Sequence, residues 1–393
     1  MPNPFNPFGP ANPEQFAGRS VEVQELTRRL NSTVAGTPQN SAIMGERGIG
    51  KTSLLRKFQE IAHSQKCIVA RVDLYPGIED LEELLVHLHE ELRKRCVSYY
   101  GLLGERFETV RSFLENYSVT LPVIGGGIER IQQRSLETSF RDRLFTIWSK
   151  VREKAAAIVL MIDEAEKLTQ ISGALEYLRN TFSRLREDGA LYCLIISGKT
   201  GLFQAVAEAF SPLERFFQPI TLMPFTEVEV FELLEKATAS TGTRFDDEVK
   251  REISRVSEGQ PYVVQVFGYC LFDTAANSNV QVISNEHLKV TSSRIYAMLA
   301  TQLFDRRIAE GVGRSKHKLR IIRRLARAQQ DTYSFTEIEK LTGIKKKSGL
   351  GVYLTQLVEA GCLRKDPRTG RYSFFMKVFK KFAAKKTASL EVD

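Results

Sequence analysis

The stretch Gly45-Glu46-Arg47-Gly48-Ile49-Gly50-Lys51-Thr52 decides how this 393-residue chain folds. It fits the pattern G-x-x-x-x-G-K-[ST] at every fixed position. The apolar residues 41–44 before it are typical of a strand, and residues 53–58 after it are typical of a helix. A glycine-rich turn between a strand and a helix is the context in which this pattern binds phosphate groups.

The residue types in the turn explain why phosphate would bind there. Glycines let successive backbone N–H groups face one point, and a helix that begins at Lys51 adds its positive end. The Lys51 ammonium is expected to reach the β- and γ-phosphates, and the Thr52 hydroxyl to ligate Mg²⁺. A purely structural turn would explain the glycines but not the Lys-Thr pair. The predicted phosphate-binding residues are Gly45, Glu46, Arg47, Gly48, Ile49, Gly50, Lys51, Thr52 and Ser53.

A second motif lies about 110 residues further on, where the apolar residues 157–162 end in Asp163 and Glu164. In open α/β folds, ligands bind at the carboxyl ends of the strands. Asp163 is suited to hold Mg²⁺ or its water shell, and Glu164 is suited to orient and polarise the attacking water. The alternative is an acidic pair that only forms a turn or caps a helix.

The wider pattern alternates between strands and helices. Strands are predicted over residues 41–44, 67–74, 157–162 and 191–197, with helices over 52–64 and 81–99 among the connections. This alternation predicts an α/β fold, a parallel sheet of the P-loop NTPase type with helices on both faces. Residues 101–133 interrupt the pattern, and we interpret them as a helix followed by an inserted hairpin or loop.

The remaining segments predict four parts in the chain. Residues 1–15 contain several prolines and are expected to form an extended arm. A nucleotide-binding domain over 16–225 follows, then a helical lid over 226–312. Residues 313–386 show three helices followed by a hairpin, which is the order of a winged-helix domain.

The positive charge is concentrated in this last part. Residues 314–386 hold 20 basic and 5 acidic side chains, within a chain whose net charge is +9. Such a concentration favours nucleic acid as the partner, mostly through phosphate contacts that do not read sequence. A solvated basic face and a protein-docking winged helix are the alternatives. The candidate nucleic-acid residues are Lys345, Lys346, Lys347, Arg364, Lys365, Arg368 and Arg371.

The composition excludes several classes of protein. Hydrophobic residues make up 42% and charged residues 26% of the chain, which argues against a disordered polymer. The uncharged, largely apolar stretch at residues 259–272 is too short for a bilayer that needs about 20 apolar residues. The N-terminus lacks the basic start and apolar core of a secretory signal, so a cytoplasmic protein without membrane contact is expected.

Over residues 16–271 the chain resembles the AAA+ ATPases, particularly the branch shared by replication initiators and STAND-type signalling ATPases. The segment with Gly18 and Arg19 looks like the adenine-side motif of that family, and Asp163-Glu164 looks like its Walker B pair. Ser197, at the end of the next strand, occupies the place of the polar residue that senses the γ-phosphate. The resemblance implies ATP and Mg²⁺ as cofactors.

Two further positions resemble family elements, one at the contact between subunits and one in the lid. Arg215 occupies the place of an arginine finger, which a subunit supplies to its neighbour's γ-phosphate; a surface arginine or an internal ion pair is the alternative. Gly259-Gln260-Pro261 resembles the G-x-P element of STAND proteins, in which Pro261 would contact nucleotide. The sequence departs from replication initiators because no sensor arginine is evident in the following helix.

The resemblance implies an ATP-hydrolysing homo-oligomeric switch that acts on DNA, in replication, transposition or mobile-element defence. The alternative is a STAND-like signalling ATPase whose winged helix binds a protein partner. Stimulation of ATP hydrolysis by duplex DNA distinguishes the first hypothesis from the second.

Overall fold

The computed structural model describes residues 2–74, 77–104, 107–117, 130–199, 201, 212–278, 280–345 and 349–386, with side chains of 130–139, 212 and 214 left aside. Two compact units divide the chain. One is Ala11–Met223, and the other combines Met1–Pro10 with Pro224–Asp393.

A five-stranded parallel sheet forms the centre of the first unit, and its strand order is β2-β3-β4-β1-β5. Every residue of β1, β3 and β4 is buried, which is what strands covered on both faces require. The strands are β1 Asn40–Met44, β2 Ile68–Asp73, β3 Ile158–Asp163, β4 Tyr192–Gly198 and β5 Phe217–Thr221. The predicted α/β sheet is confirmed.

Helices cover the sheet and enclose two separate apolar cores. One core contains Leu88, Leu144 and Trp148, and the other contains Leu30 and Phe58. Full burial of a side chain of this size contributes roughly 1.5–3 kcal/mol, so both faces stabilise the sheet. The helices are α1 Ser20–Val34, α2 Lys51–Ser64, α3 Leu81–Leu102, α4 Glu108–Asn116, α5 Arg130–Val151, α6 Ala174–Glu187 and α7 Pro212–Phe216, with 3₁₀ turns at Pro13–Gln15 and Ala165–Gln170.

The predicted interruption at residues 101–133 is described in part. Helix α4 lies within it and packs against α3. The hairpin or loop predicted there lies outside the described residues, so its structure stays a prediction.

The second unit begins with a helical region. Its helices are α8 Glu227–Thr238, α9 Asp247–Ser257, α10 Pro261–Asn277, α11 Asn285–Leu299 and α12 Asp305–Val312, with a π-helical turn at Ala300–Phe304. The short strands β6 Arg244–Phe245 and β7 Val282–Ile283 pair in parallel. The helical character predicted for this region is therefore present among its described residues.

The end of the chain has the predicted order of three helices and a hairpin. The elements are α13 Lys316–Arg327, β8 Thr332–Tyr333, α14 Phe335–Thr342, α15 Leu350–Glu359, β9 Leu363–Lys365, β10 Tyr372–Phe374 and α16 Lys377–Lys386. Strand β8 joins the hairpin in an antiparallel sheet of order β8-β10-β9. Neither β8 nor α16 was predicted. The rings of Phe304 and Phe379, 5.3 Å apart, anchor α16.

The first residues of the chain pack onto the second unit. The Phe5 ring is buried against Phe245 and Phe272. Gly268 of α10 makes room for it, because a Cβ there would lie 2.4 Å from the Phe5 ring. The Asn3 amide donates to the Tyr269 carbonyl oxygen at 2.9 Å. The proline-rich segment is thus irregular in backbone, as predicted, but it is docked.

Among the described residues, no helix combines the length and the apolar character that crossing a bilayer demands.

Candidate nucleotide-binding site

The glycine-rich turn connects β1 to α2 at the carboxyl edge of the sheet. Gly48 and Gly50 have φ values of 80° and 97°, a region that glycine adopts without strain. A Cβ at Gly45 would lie 2.7 Å from Ile49 and 3.2 Å from Leu222. The backbone conformation therefore favours glycine at positions 48 and 50, and the close neighbours favour it at position 45. Together the three glycines allow the turn to close tightly.

The Lys51 side chain folds into this turn. Its Nζ donates to the carbonyl oxygens of Gly45 at 2.8 Å and Glu46 at 3.1 Å. Burial lowers the pKa of Lys51, while the negative charges of Glu166 and Asp163 oppose that shift. The ammonium group is therefore held inside the loop, where a bound phosphate would compete favourably with neutral carbonyl groups.

Thr52 and Asp163 meet across the site. The Thr52 hydroxyl donates to Asp163 Oδ2 at 2.8 Å, and Asp163 is only 5% exposed. A buried carboxylate beside a hydroxyl is an oxygen donor set that fits Mg²⁺, which usually takes one or two protein ligands and completes its shell with phosphate and water. The predicted pair thus lies where a metal–phosphate complex in the turn would need it.

Arg71 is a residue that the sequence analysis missed. Its guanidinium lies 3.4 Å from Asp163 Oδ2 and 2.9 Å from Asp73 Oδ1. Strand β2 runs beside β3, with Asp73 opposite Asp163 in the register, so Arg71 reaches the neighbouring strand's carboxylate. An arginine inside an otherwise apolar strand was the available signal. Its partner became evident only with the strand order.

Glu164 directly follows β3 in a left-handed conformation with φ of 52°. Its carboxylate is 65% exposed and forms an ion pair with Lys167 at 3.0 Å. The backbone N–H of Glu164 donates to Asp163 Oδ1 at 3.0 Å. The Glu164 carboxylate is therefore accessible to solvent, as a water-activating carboxylate must be.

Ser197 lies on β4 opposite Ile43 of β1. The side chain is completely buried, and its Oγ has no hydrogen-bond partner among the described residues. The adjacent Gly198 carbonyl oxygen accepts the Gly45 N–H at 3.2 Å. Ser197 therefore directly precedes the β4 residue that bonds to the start of the glycine-rich turn.

Gly18 and Arg19 approach the turn from the N-terminal side. Both have positive φ, 66° and 62°. The buried Arg19 guanidinium donates to the Ile49 carbonyl oxygen at 3.1 Å and lies 3.4 Å from Glu22. Arg19 thus braces the turn directly, and its predicted role beside the adenine base stays a prediction. In the first turn of α2, the Ser53 hydroxyl accepts the Ala11 N–H at 3.1 Å.

Arg215 lies at the opposite edge of the sheet. It belongs to α7, directly before β5, whereas the glycine-rich turn follows the carboxyl end of the parallel strand β1. Arg215 is exposed, and among the described residues it has no ion-pair partner. With Phe182, Arg186 and Gln218 it lines a cavity of about 470 Å³. Arg215 therefore cannot serve its own subunit's glycine-rich turn.

Pro261 begins α10 in the second unit. The Gly259 carbonyl oxygen before it accepts the Phe225 N–H at 2.7 Å. A Cβ at Gly259 would lie 2.0 Å from the Phe225 carbonyl oxygen. Packing explains this glycine, and a nucleotide contact by Pro261 stays a prediction.

The predicted nucleic-acid residues differ in their exposure and in whether their charged groups already have partners. Lys345 and Arg368 are exposed. The Arg371 guanidinium donates to the Thr332 carbonyl oxygen at 3.0 Å and forms an ion pair with Glu337 at 2.9 Å. Lys365 lies 5.7 Å from the centre of the Tyr372 ring, and Arg364 is partly buried in β9. Lys346 and Lys347 lie outside the described residues.

Known proteins share the fold and its first domain. The AAA ATPase domain model matches residues 15–196. An uncharacterized HTH-type transcriptional regulator of Methanocaldococcus jannaschii is 25% identical over 270 residues, 65% of this chain, and the chain matches 63% of that relative's length.

Two solved structures resemble nearly the whole chain. The Walker-type ATPase of Pyrococcus abyssi has a TM-score of 0.59 at 16% identity, with 97% of this chain and 99% of that chain covered. The Aeropyrum pernix ORC2 protein, solved as ADPNP-ADP complexes, has a TM-score of 0.59 at 15% identity, with 94% and 95% covered. At these identities the likeness shows the fold, and it confirms the predicted P-loop architecture.

Proposed function

We propose that the chain, whose residues 15–196 match the AAA ATPase domain model, is an ATP-hydrolysing, Mg²⁺-dependent oligomeric switch that acts on DNA. The observation that carries the proposal is the hydrogen bond between Thr52 and Asp163, next to the partly buried Lys51 ammonium. This contact supports a single site formed by the glycine-rich turn and the acidic pair.

Each side chain of the site has a distinct role in this proposal. Lys51 and the backbone N–H groups of the turn bind the β- and γ-phosphates. Thr52 and Asp163 hold Mg²⁺, which neutralises phosphate charge when bound. Glu164 orients the attacking water and accepts its proton, and the Ser197 hydroxyl donates to the γ-phosphate or to that water.

We propose oligomer formation from the position of Arg215. A cation at the amino edge of the sheet cannot stabilise charge in its own site, but it can reach a neighbouring subunit's γ-phosphate. In an Arg215→Ala and Lys51→Ala mixture, some heteromeric interfaces would pair an intact turn with an intact arginine. Partial recovery of hydrolysis in the mixture supports this role, and no recovery at any ratio contradicts it.

Action on DNA is proposed from the charge of the last part of the chain. Residues 314–386 carry a strong positive excess, and their helices and hairpin have the order expected for a winged helix. The relative in Methanocaldococcus jannaschii is described as an HTH-type transcriptional regulator. Phosphate contacts of this kind weaken steeply as salt rises.

A STAND-like signalling ATPase is the second candidate, and the turn at Gly259-Gln260-Pro261 favours it. In that case the last part of the chain would bind a protein, and DNA would not affect turnover. The test measures phosphate release and particle size with ATP, with and without duplex DNA, in one buffer series. Faster turnover with DNA supports the first proposal, and identical turnover in both arms supports the second.

A further inference from the structure

Helix α13 carries more lysines and arginines than any other helix described in the second unit. Its twelve residues, Lys316–Arg327, include six lysines and arginines and no acidic residue. The apolar residues Ile321, Ile322 and Leu325 are buried against the rest of the unit. The exposed cations of the helix are Lys316, Arg320, Arg324 and Arg327.

Three of these cations form a row that runs obliquely along the helix. Lys316, Arg320 and Arg324 are spaced at i, i+4 and i+8, so they lie on one face of the helix. At a rise of 1.5 Å per residue, neighbouring Cα atoms in the row are about 6 Å apart along the axis. We call these three residues the α13 row. Among the residues that the structure describes, none of the three has an ion-pair partner.

This arrangement is costly for an isolated helix. Like charges at i and i+4 repel each other, and cations in the first helical turn oppose the positive end of the helix dipole. The nearby Asp331 does not offset these charges, because its carboxylate pairs with Lys377 and Lys380 of α16. A polyanion lying along the α13 row would relieve both repulsions at once.

The surface continues from α13 toward the start of α15. The His317 ring stacks on Tyr353 of α15, with centroids 5.3 Å apart. The Arg320 guanidinium passes beside Gly343, 3.5 Å from the position that a Cβ would take there. Gly343 leads to the exposed Lys345, so Lys345 extends the positive surface formed by the α13 row.

The other surfaces of this region are less suited to phosphate. Helix α15 presents Val352, Thr355 and Gln356 to solvent, and none of them is charged. In the hairpin, the Arg371 guanidinium is occupied by Thr332 and Glu337. Helix α13 therefore has more exposed cations without described ion-pair partners than α15 or the hairpin has, although the sequence analysis placed the binding residues before α15 and in the hairpin.

We propose that the α13 row binds the phosphate backbone of duplex DNA without reading its sequence. The proposal rests on the proposed action on DNA and specifies which surface makes the contact. Guanidinium and ammonium groups at regular helical spacing match a continuous line of phosphates better than they match the scattered carboxylates of a folded protein. The expected complex is salt-sensitive and similar for unrelated duplexes.

The test compares two full-length variants with the same loss of charge. One is Lys316→Ala/Arg320→Ala/Arg324→Ala in the α13 row, and the other is Arg364→Ala/Lys365→Ala/Arg368→Ala in the hairpin. Binding of a labelled duplex is measured by fluorescence anisotropy over a salt series, for two unrelated sequences. Thermal unfolding and ATP affinity of each variant verify that both units remain folded.

The α13 variant should reduce the slope of log affinity against log salt by about 3, since each lost phosphate contact removes about 1. The hairpin variant should change that slope by less than about 1. If the salt slope falls in the hairpin variant and the α13 variant binds duplex as the wild type does, this inference is wrong, but the proposed action on DNA is not contradicted. If the wild-type chain binds no duplex at low salt, the proposed action on DNA fails, and this inference fails with it.

Discussion

The Thr52 hydroxyl donates a hydrogen bond to the Asp163 carboxylate at 2.8 Å, although the two residues are 111 positions apart in the chain. The contact joins the start of α2 to the end of β3 at one edge of the sheet. It brings the phosphate-binding turn and the acidic pair together, which is the geometric requirement for a shared metal ion.

Thr52→Val removes the hydroxyl while keeping the shape of the side chain. We expect Mg²⁺-dependent ATP affinity to fall about tenfold or more, because a hydrogen bond or ligand contact to a charged group is lost. Affinity measured in a chelator should change little. Thr52→Ser, which keeps the hydroxyl, should restore the Mg²⁺ dependence. Equal losses with and without Mg²⁺ would mean that Thr52 contributes to folding of the turn instead of metal binding.

Lys51→Ala should weaken ATP binding by about 100-fold, because a charged hydrogen bond of roughly 1.5–3 kcal/mol to phosphate disappears. Calorimetric titration with ATP measures the loss. Lys57→Ala is the matched control, since Lys57 lies on the same helix and contacts the Pro13 carbonyl oxygen and Glu60. An ATP affinity equal to that of the wild type in Lys51→Ala would mean that the glycine-rich turn does not bind the nucleotide.

Arg71→Gln should lower the Mg²⁺ concentration needed for nucleotide binding severalfold. The Arg71 guanidinium competes electrostatically with a cation at Asp163, and its removal frees that carboxylate. Asp73→Asn is the complementary variant, because it leaves Asp163 as the arginine's one described carboxylate partner and should raise the Mg²⁺ requirement. The readout is nucleotide binding over a Mg²⁺ series. Shifts in the same direction for both variants would contradict the competition.

His89 should make the first unit sensitive to acid. Burial lowers the pKa of His89 from 6.5 to about 4, against an opposing effect of Glu90. Below pH 6.5 His89 is protonated in the unfolded chain but stays neutral in the folded chain. The free energy of unfolding therefore falls as the pH drops from 6.5 to about 4. The full effect is about 3 kcal/mol. Urea unfolding across this range measures it.

His89→Leu tests the source of that acid sensitivity. With no imidazole to protonate, the variant should lose much of the decline in unfolding free energy between pH 6.5 and 4. His87→Leu is the control, because it removes a partly exposed imidazole from the same helix and should retain the wild-type decline. An unchanged pH dependence in His89→Leu would assign the acid sensitivity to other groups.

The sequence predicts the local parts of this molecule well, and the reasons are physical. The glycine-rich turn, its helix and the buried strands depend on neighbouring residues, so their patterns are visible along the chain. The meeting of Thr52 and Asp163 was also predictable, because parallel strands end at one sheet edge.

Other contacts between distant segments are what the sequence analysis missed. The role of Arg71 depends on β2 lying beside β3, a neighbour relation that no local pattern reveals. Phe5 lies in an irregular proline-rich segment, so its burial on α10 has no periodic signal. The sequence does not show that the α13 cations are exposed while Arg371 is paired with Glu337, because burial and ion pairs depend on the folded structure.

The most direct test compares ATP turnover and ATP affinity in wild type and Glu164→Gln. The wild-type chain should hydrolyse ATP, and the variant should bind ATP equally well while its turnover falls roughly 10²–10⁴-fold, because the group that accepts the water's proton is lost. Glu166→Gln, in the adjacent 3₁₀ turn, should keep most of the turnover. Undiminished hydrolysis by Glu164→Gln, or no hydrolysis by the wild type, would contradict the account.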